Sequence, residues 1–351
     1  MARKLSLSNK PAAHPVTSKD VAERAKVSRA AVSRTFSGNG SISEQTRNKV
    51  LKAAKELGYR VNMLGRSMNR QRADLVGLVV WRPQDPFRMV LLESLLQAIA
   101  GQGLEAIVTE VGSEADSGHA VERFVQYRVA GVIIISGSPP ASVARECAEL
   151  DIPVVMINRE GKRRHADVVR SDNASSAQLV AERFLGAGCR RLGFLNVEGG
   201  TYSGADRGAC FEEALTPHLA SGAVSFHRLK APSADYDGGY AATCALRDLP
   251  VTLDGVFCAN DLLACGFLDG LRNELQLDVP GDIAVIGFDD IPVASWHNYR
   301  LTTIKQNTEA IAVTAVDRLL NDMDRRGRRR KIFLVPTTLI DRSTVGPRGD
   351  R

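Results

Sequence analysis

Apolar positions recur at helical spacing in the first sixty residues and gather into short β-branched runs beyond Leu75. Thr17 stands three residues before Asp20 in a capping-box arrangement, and Val21, Ala22 and Ala25 then mark one helical face. After a break at Lys26 and Val27, Ser28 is the N-cap of a second predicted helix, with Val32 and Phe36 facing inward. A third helix is predicted from Ser43 through Val50, Ala54 and Leu57, with Gly58 as its C-terminal stop. Three short helices over one small core follow. Residues 1–15 lack periodicity and are expected to form a disordered arm.

From Leu75 onward the rhythm changes. Leu75 to Val80, Ala106 to Thr109, Val132 to Ser136, Val154 to Ile157, Arg191 to Val197, Gly255 to Cys258 and Ile283 to Phe288 read as buried strands separated by helical stretches. That alternation predicts parallel sheets with right-handed crossovers. The strands are too many for one comfortable sheet, so two doubly wound lobes are expected, with a ligand at the carboxyl ends of the strands between them.

Charge sharpens this division. Residues 1–75 hold 16 Lys and Arg against 5 Asp and Glu, leaving 30 against 35 for the rest, although the whole chain is only +6. A basic amino-terminal end on a mildly acidic body points to a nucleic-acid contact there, part of which a solvated flexible arm would also explain. The longest apolar runs fall short of a membrane span, and Met1 to Lys10 has no apolar signal region, so a cytoplasmic protein without membrane contact is expected. Six scattered cysteines form no Cys-x-x-Cys pair and have no His at zinc spacing, which predicts core thiols and neither a disulfide framework nor a metal.

The segment Val16 to Arg34 has the spacing of a helix-turn-helix, whose second helix would offer its amino-terminal end to the major groove. The DNA-contacting set expected from it is Thr17, Ser28, Arg29, Ala30, Ser33 and Arg34. The two arginines suit bidentate reading of guanine, or contact phosphate alone.

At this point the chain closely resembles the LacI/GalR family of repressors, from Val16 to Thr344. The resemblance rests on the helix-turn-helix, Gly58-Tyr59 followed by Asn62 and Gly65 to Met68, Asp172-Asn173, the run Arg207 to Leu215 and Asn260-Asp261. It continues through Val279 to Asp290 and Leu301-Thr302-Thr303. It implies a small all-α helix-turn-helix domain, a hinge helix, and a two-lobed α/β core, doubly wound and periplasmic-binding-protein-like. The boundaries expected are 16–60 for the first domain, 61–74 for the hinge and 75–351 for the core. Within the core, lobe 1 takes about 75–170 and 304–330, and lobe 2 about 171–303 and 331–345.

The family pattern further implies that Asn62 and Met68 contact DNA, Met68 as an apolar wedge in the minor groove. Val61 in place of the usual proline and Gly65 in place of the usual alanine depart from that pattern. In the core it implies a ligand set of Phe87, Arg159, Arg207, Asn260 and Asp289. An Arg and an Asp together can donate to and accept from vicinal hydroxyls, so a sugar or related metabolite is the natural small-molecule effector. Asp172 and Asp261 are read as helix N-caps, and Phe87 as either a stacking platform or a lid residue. Trp296 is read as core or hinge packing as readily as a ligand platform, and the run Arg325 to Lys331 as a solvated loop.

The resemblance implies a repressor with no cofactor and no catalytic residues, bound as a homodimer to a near-palindromic double-stranded operator. The chain end, Thr344 to Arg351, lacks the leucine heptad of family tetramers. Two rivals, an α/β enzyme and a secreted solute-binding protein, are opposed by the absence of a phosphate loop or nucleophile elbow and by the basic headpiece.

Overall fold

The structure, a computed structural model, describes residues 16–37, 42–59, 74–81, 84–112, 114–135, 141–160, 166–323 and 331–347. The expected arm, the hinge with Val61, Asn62, Gly65 and Met68, and Arg325 to Arg330 lie outside the described residues. The chain divides into two units, Met1–Ala73 and Asp74–Arg351.

Side-chain caps set the helix starts of the first unit. At the head of α1 (Ser18–Ala25), the Asp20 carboxylate accepts from the Thr17 backbone N at 2.7 Å and from its hydroxyl at 2.8 Å. These bonds hold the Asp20 carboxyl below its ordinary range. Lys26 ends the helix in the left-handed region at φ 52°. Ser28 Oγ then accepts from Ala31 N at 3.2 Å as α2 (Arg29–Ser37) begins, and Ser43 Oγ accepts from Thr46 N at 3.3 Å before α3 (Glu44–Leu57). Each such cap is worth about 1 kcal/mol. Val21, Val32 and Val50 close the core between the three helices, flanked by the Phe36 and Tyr59 rings with centroids 5.7 Å apart.

The second unit follows the alternating pattern. First come β1 (Leu75–Val80), α4 (Pro86–Gly101), β2 (Glu105–Glu110), α5 (Glu114–Gln126), β3 (Gly131–Ile134), α6 (Ala141–Glu149), β4 (Val154–Ile157) and β5 (Asp167–Ser171). Next are α7 (Asn173–Gly186), β6 (Arg191–Val197), α8 (Tyr202–Ala220), β7 (Ser225–Ala231), α9 (Tyr236–Ala242), β8 (Gly255–Cys258), α10 (Asp261–Asn273), β9 (Ala284–Asp289) and β10 (Thr302–Gln306). Last are α11 (Thr308–Met323), β11 (Ile332–Val335) and β12 (Thr337–Ile340). The strands form two six-stranded sheets, β11-β5-β4-β3-β1-β2 and β12-β10-β9-β8-β6-β7, parallel throughout except for β12 against β10.

The chain passes between the sheets at Asp172, Asn307 and Pro336. This corrects the expected lobe boundaries in two places. Residues 304–306 finish β10 in the second sheet, and β11, expected in lobe 2, pairs with β5 in the first. Both strands are four or five residues long, too short for periodicity to reveal their partners. The strand β7 also escaped the pattern: its sequence SFHRLKA alternates as an edge strand with only Leu229 and Ala231 buried. Helix α11 belongs to the first sheet, with Leu319 packed on Gly131 and Arg318 3.2 Å from the buried Asp167.

The six cysteines are free, four of them buried, and no group of His, Cys, Asp and Glu suited to a metal occurs among the described residues. Nor is any described helix long and apolar enough to cross a membrane.

Candidate functional site

On α2 the turn at Lys26 leaves the amino-terminal end open, and Ser28, Arg29, Ala30, Ser33 and Arg34 are all exposed. Ala31, Val32 and Thr35 of the same helix are buried, Thr35 by donating to the Ala31 carbonyl at 2.9 Å. The structure thus groups five of the expected DNA-contacting residues on one exposed face. Thr17 is also exposed, with its hydroxyl engaged in the α1 cap. The remaining two contacts, which the family implies, Asn62 and Met68, lie outside the described residues.

In the second unit a cavity of about 650 Å³ opens at the carboxyl ends of strands from both sheets. Trp81, Asp85, Phe87 and Arg88, which follow β1, line one side. Asn196, Arg207, Asn260 and Asp289 line the other. Each side carries a guanidinium held in the same way. Arg88 donates to the Trp81 carbonyl at 3.0 Å, lies 3.2 Å from Asp85 Oδ2, and sits 4.9 Å above the Trp81 ring. Arg207 donates to the Ala259 carbonyl at 2.6 Å, lies 3.6 Å from Asp289 Oδ1, and sits 3.5 Å above the Phe288 ring. Stacking on an aromatic face and pairing with a carboxylate offset the cost of burying each charge.

Local sequence explains these placements. Asp85 caps α4 by accepting from Phe87 N at 3.0 Å, and Pro86 fills the first helical position, where its missing N–H costs nothing. Arg207 lies on α8 beside Gly208, where a Cβ would fall 2.4 Å from the Phe194 ring, so the helix seats close to β6. Asp289 ends β9 at φ 119° and Asp290 follows at 56°. Non-glycine residues in this region are strained, and such strain collects at binding sites.

Behind Asp289 runs a buried relay. Ser171 N, which can only donate, bonds Asn158 Oδ1 at 3.0 Å, so Asn158 Nδ2 must face Gln306, bonding its Oε1 at 2.9 Å. Ser171 Oγ donates to the same oxygen at 2.6 Å. Gln306 Nε2 is thereby turned to Asp289 and donates to its Oδ1 at 2.6 Å. Ser171 and Gln306 are the last residues before two of the three crossings between the sheets. Burial pushes the Asp289 carboxyl up to about 7, against the opposing pull of Arg207. Burial also lowers Arg207, which stays charged because a guanidinium starts so high.

Of the expected ligand set, Phe87, Arg207, Asn260 and Asp289 line the cavity together, and Arg159 at the end of β4 does not. Its neighbour Asn158 turns inward instead, at φ 51° and 5% exposure. Phe87 is buried against the core while lining the cavity. Asp172 caps α7 as expected, accepting from Ser175 N at 3.1 Å. Asp261 does not cap α10: Asn260 does, through Leu263 N at 2.8 Å. Asp261 is instead fully buried, accepting from Thr303 Oγ1 at 2.5 Å and Ile291 N at 2.9 Å, and burial drives its carboxyl well upward. Gly287 makes room for it, since a Cβ there would lie 2.2 Å from its Oδ1. Trp296 is 59% exposed, which corrects its reading as core or hinge packing.

Trp81, Asp85 and Arg88 were missed as cavity residues. The Asp-Pro pair was visible as a helix start, and a helix start directly after a buried strand is where cavity residues fall. The partners of Gln306 are distant in sequence and left no such signal.

Comparison with known proteins agrees with both units. The model of bacterial regulatory proteins of the lacI family matches residues 17–62, and that of a periplasmic binding protein-like domain matches residues 181–345. An uncharacterised helix-turn-helix-type transcriptional regulator from the aml 5′ region of Streptomyces limosus is 30% identical over 335 residues, 93% of each chain. The ribose operon repressor of Halalkalibacterium halodurans is 27% identical, over 94% of this chain and 97% of its own. The crystal structure of the lac repressor dimer bound to operator and the anti-inducer ONPF superposes with a TM-score of 0.82 at 25% identity, over 95% of this chain and all of that one.

Proposed function

Since this chain belongs to the lacI family of bacterial regulatory proteins and is a DNA-binding transcriptional regulator, we propose that it is a repressor whose operator affinity is set by a small polar molecule held between its lobes. The observation that carries this reading is the Arg207–Asp289 pair, buried at the cavity wall and wired through Gln306 to two interlobe crossings. A molecule that engages the pair acts directly on the geometry of the crossings. A sugar or related metabolite fits best, because a guanidinium and a carboxylate side by side match the donors and acceptors of vicinal hydroxyls. The ribose operon repressor among its relatives supports that class.

In the same reading α2 enters the major groove, with Arg29 and Arg34 toward the bases and Thr17 and Ser28 toward the backbone. One headpiece offers too few base-reading side chains for genomic specificity, so two act as a homodimer on a near-palindromic operator in the cytoplasm. The relationship to a repressor that binds its operator as a dimer supports this. The protein binds and releases, and catalyses no reaction. The test is selection of operator sequences from a random pool with the full chain. It should return inverted half-sites, released or tightened when sugars are added, and recovery of unrelated sequences would refute the reading.

A further inference from the structure

We infer that the cavity takes a neutral polyhydroxylated ring gripped from both lobes, and that Asp85 and Arg88 set this preference for an uncharged ligand. The inference rests on the reading that a small molecule occupies this cleft, and it adds which chemical class is admitted and which side chains decide.

Each lobe presents the same triad of aromatic ring, guanidinium and carboxylate: Trp81, Arg88 and Asp85 on one side, Phe288, Arg207 and Asp289 on the other. A guanidinium donates and a carboxylate accepts, so each triad matches a pair of adjacent hydroxyls. The triads feel one another, since the charges of Asp85 and Arg88 both act on the Asp289 carboxyl. A single ring can therefore be held from both lobes at once, which ties occupancy of the cavity to the relation between the sheets. Arg207 Nε is buried with no hydrogen-bond partner among the described residues, so the grip on a ligand falls to its terminal nitrogens. Trp81 and Phe87 add apolar surface for the C–H face of such a ring.

Above pH 7, with Asp289 ionised, the charges within each triad cancel, and the remaining carboxylate on the lining, Asp235, adds a negative one. A phosphate or carboxylate entering here finds both guanidiniums already neutralised, and would bury a charge without a free counter-charge. A hydroxylated ring brings no net charge and faces no such penalty. The two oxygens of Asp85 have separate tasks. Oδ1 caps α4 and Oδ2 pairs with Arg88. Asp85→Asn therefore keeps the cap, since Asn is as good an N-cap as Asp, while stripping Arg88 of its counter-charge.

The experiment uses the full-length protein in calorimetric titration and thermal-shift assays at about pH 8, where Asp289 is ionised. Its probes are glucose, galactose, ribose, maltose and cellobiose beside glucuronate, galacturonate, glucose 6-phosphate and ribose 5-phosphate, with guanine as a nucleobase control. A neutral sugar should bind, with its acidic or phosphorylated counterpart at least about tenfold weaker. Asp85→Asn should weaken the neutral sugar and shift the ratio toward the acidic one by about tenfold. Arg88→Gln should weaken the neutral sugar with no gain for the acid. Tighter binding of an acidic or phosphorylated sugar to the wild type, or an unchanged ratio in Asp85→Asn, would overturn the charge argument and leave the cleft reading standing. Binding of a nucleobase such as guanine with no sugar response would overturn the inference and the sugar assignment together. Absence of binding by every neutral sugar would also reject the inference.

Discussion

In the first unit Arg29, Ala30, Ser33 and Arg34 stand exposed on a helix closed behind by Val21, Val32 and Val50, whereas in the second Arg207 and Asp289 are each under a tenth exposed. The two regions handle charge by opposite means. On α2 the arginines remain hydrated until a partner arrives, so nothing in the fold must compensate them. At the cavity both guanidiniums are already out of water, and each has a stacking ring, a carbonyl and a carboxylate fixed around it. Substitutions on α2 should therefore change recognition with little effect on folding. Substitutions at the cavity should change both.

The sharpest test of that contrast is Asp289→Ala. It leaves Arg207 buried without its partner, and the cost to the stability of the second unit should be about 3–5 kcal/mol by denaturant unfolding. Any sugar that shifts operator affinity in the wild type should lose its effect, while ligand-free operator binding stays near normal. A stable variant that still responds would show that the pair is peripheral to the cavity's function.

Next in size is a pH effect that the exposed arginines cannot show. The Asp289 carboxyl is raised from 3.8 to about 7 in the folded protein, so the stability tied to its protonated form is present below the unfolded value and is lost as pH rises to about 7. Asp289→Asn cannot ionise. Its stability relative to the wild type should improve between pH 4 and pH 7 by on the order of a few kcal/mol, as thermal melts at both ends would reveal. A constant difference across that range would mean that Asp289 ionises as an ordinary carboxylate.

On the α2 side, Arg29→Ala should cost about 1–3 kcal/mol of operator binding and relax base preference at one position per half-site. Lys19→Ala, at a 69% exposed side chain, should weaken all sequences alike. Neither should move the unfolding midpoint. Equal losses on specific and random DNA for both variants would remove Arg29 from base reading. The smallest effect is expected from Thr17→Ala, which deletes a hydroxyl cap and should destabilise the first unit by about 1 kcal/mol, read as earlier loss of helical signal on heating.

The sequence by itself determined the parts governed by near neighbours. Thr17 with Asp20, Ser28, Ser43 and Gly58 lie within a few residues of the groups they satisfy, so the three helices and their exposed face were legible from spacing. The buried strands β1, β4, β6 and β8 fell where their apolar runs put them, because burial on both faces leaves an unbroken apolar run. Asn260 and Asp289 were found because each adjoins a strand end, and Arg207, which lies inside α8, came from the resemblance to a known family.

Only the tertiary structure decided which strands cross to which sheet, since β10 and β11 take their place from partners, β10 being largely polar and β11 mostly unburied, so that neither is an unbroken buried apolar run. It also exchanged the roles of Asn260 and Asp261. Either residue can cap a helix, and the choice fell to Thr303 and Ile291, some 42 and 30 positions away, which supply the donors that let a carboxylate be buried. The amide of Gln306 likewise has a direction only because Ser171 and Asn158 arrive from the other sheet, 135 and 148 positions distant. Hydrogen-bond satisfaction in a dry interior is a property of assembled neighbours, and no local pattern of residues contains it.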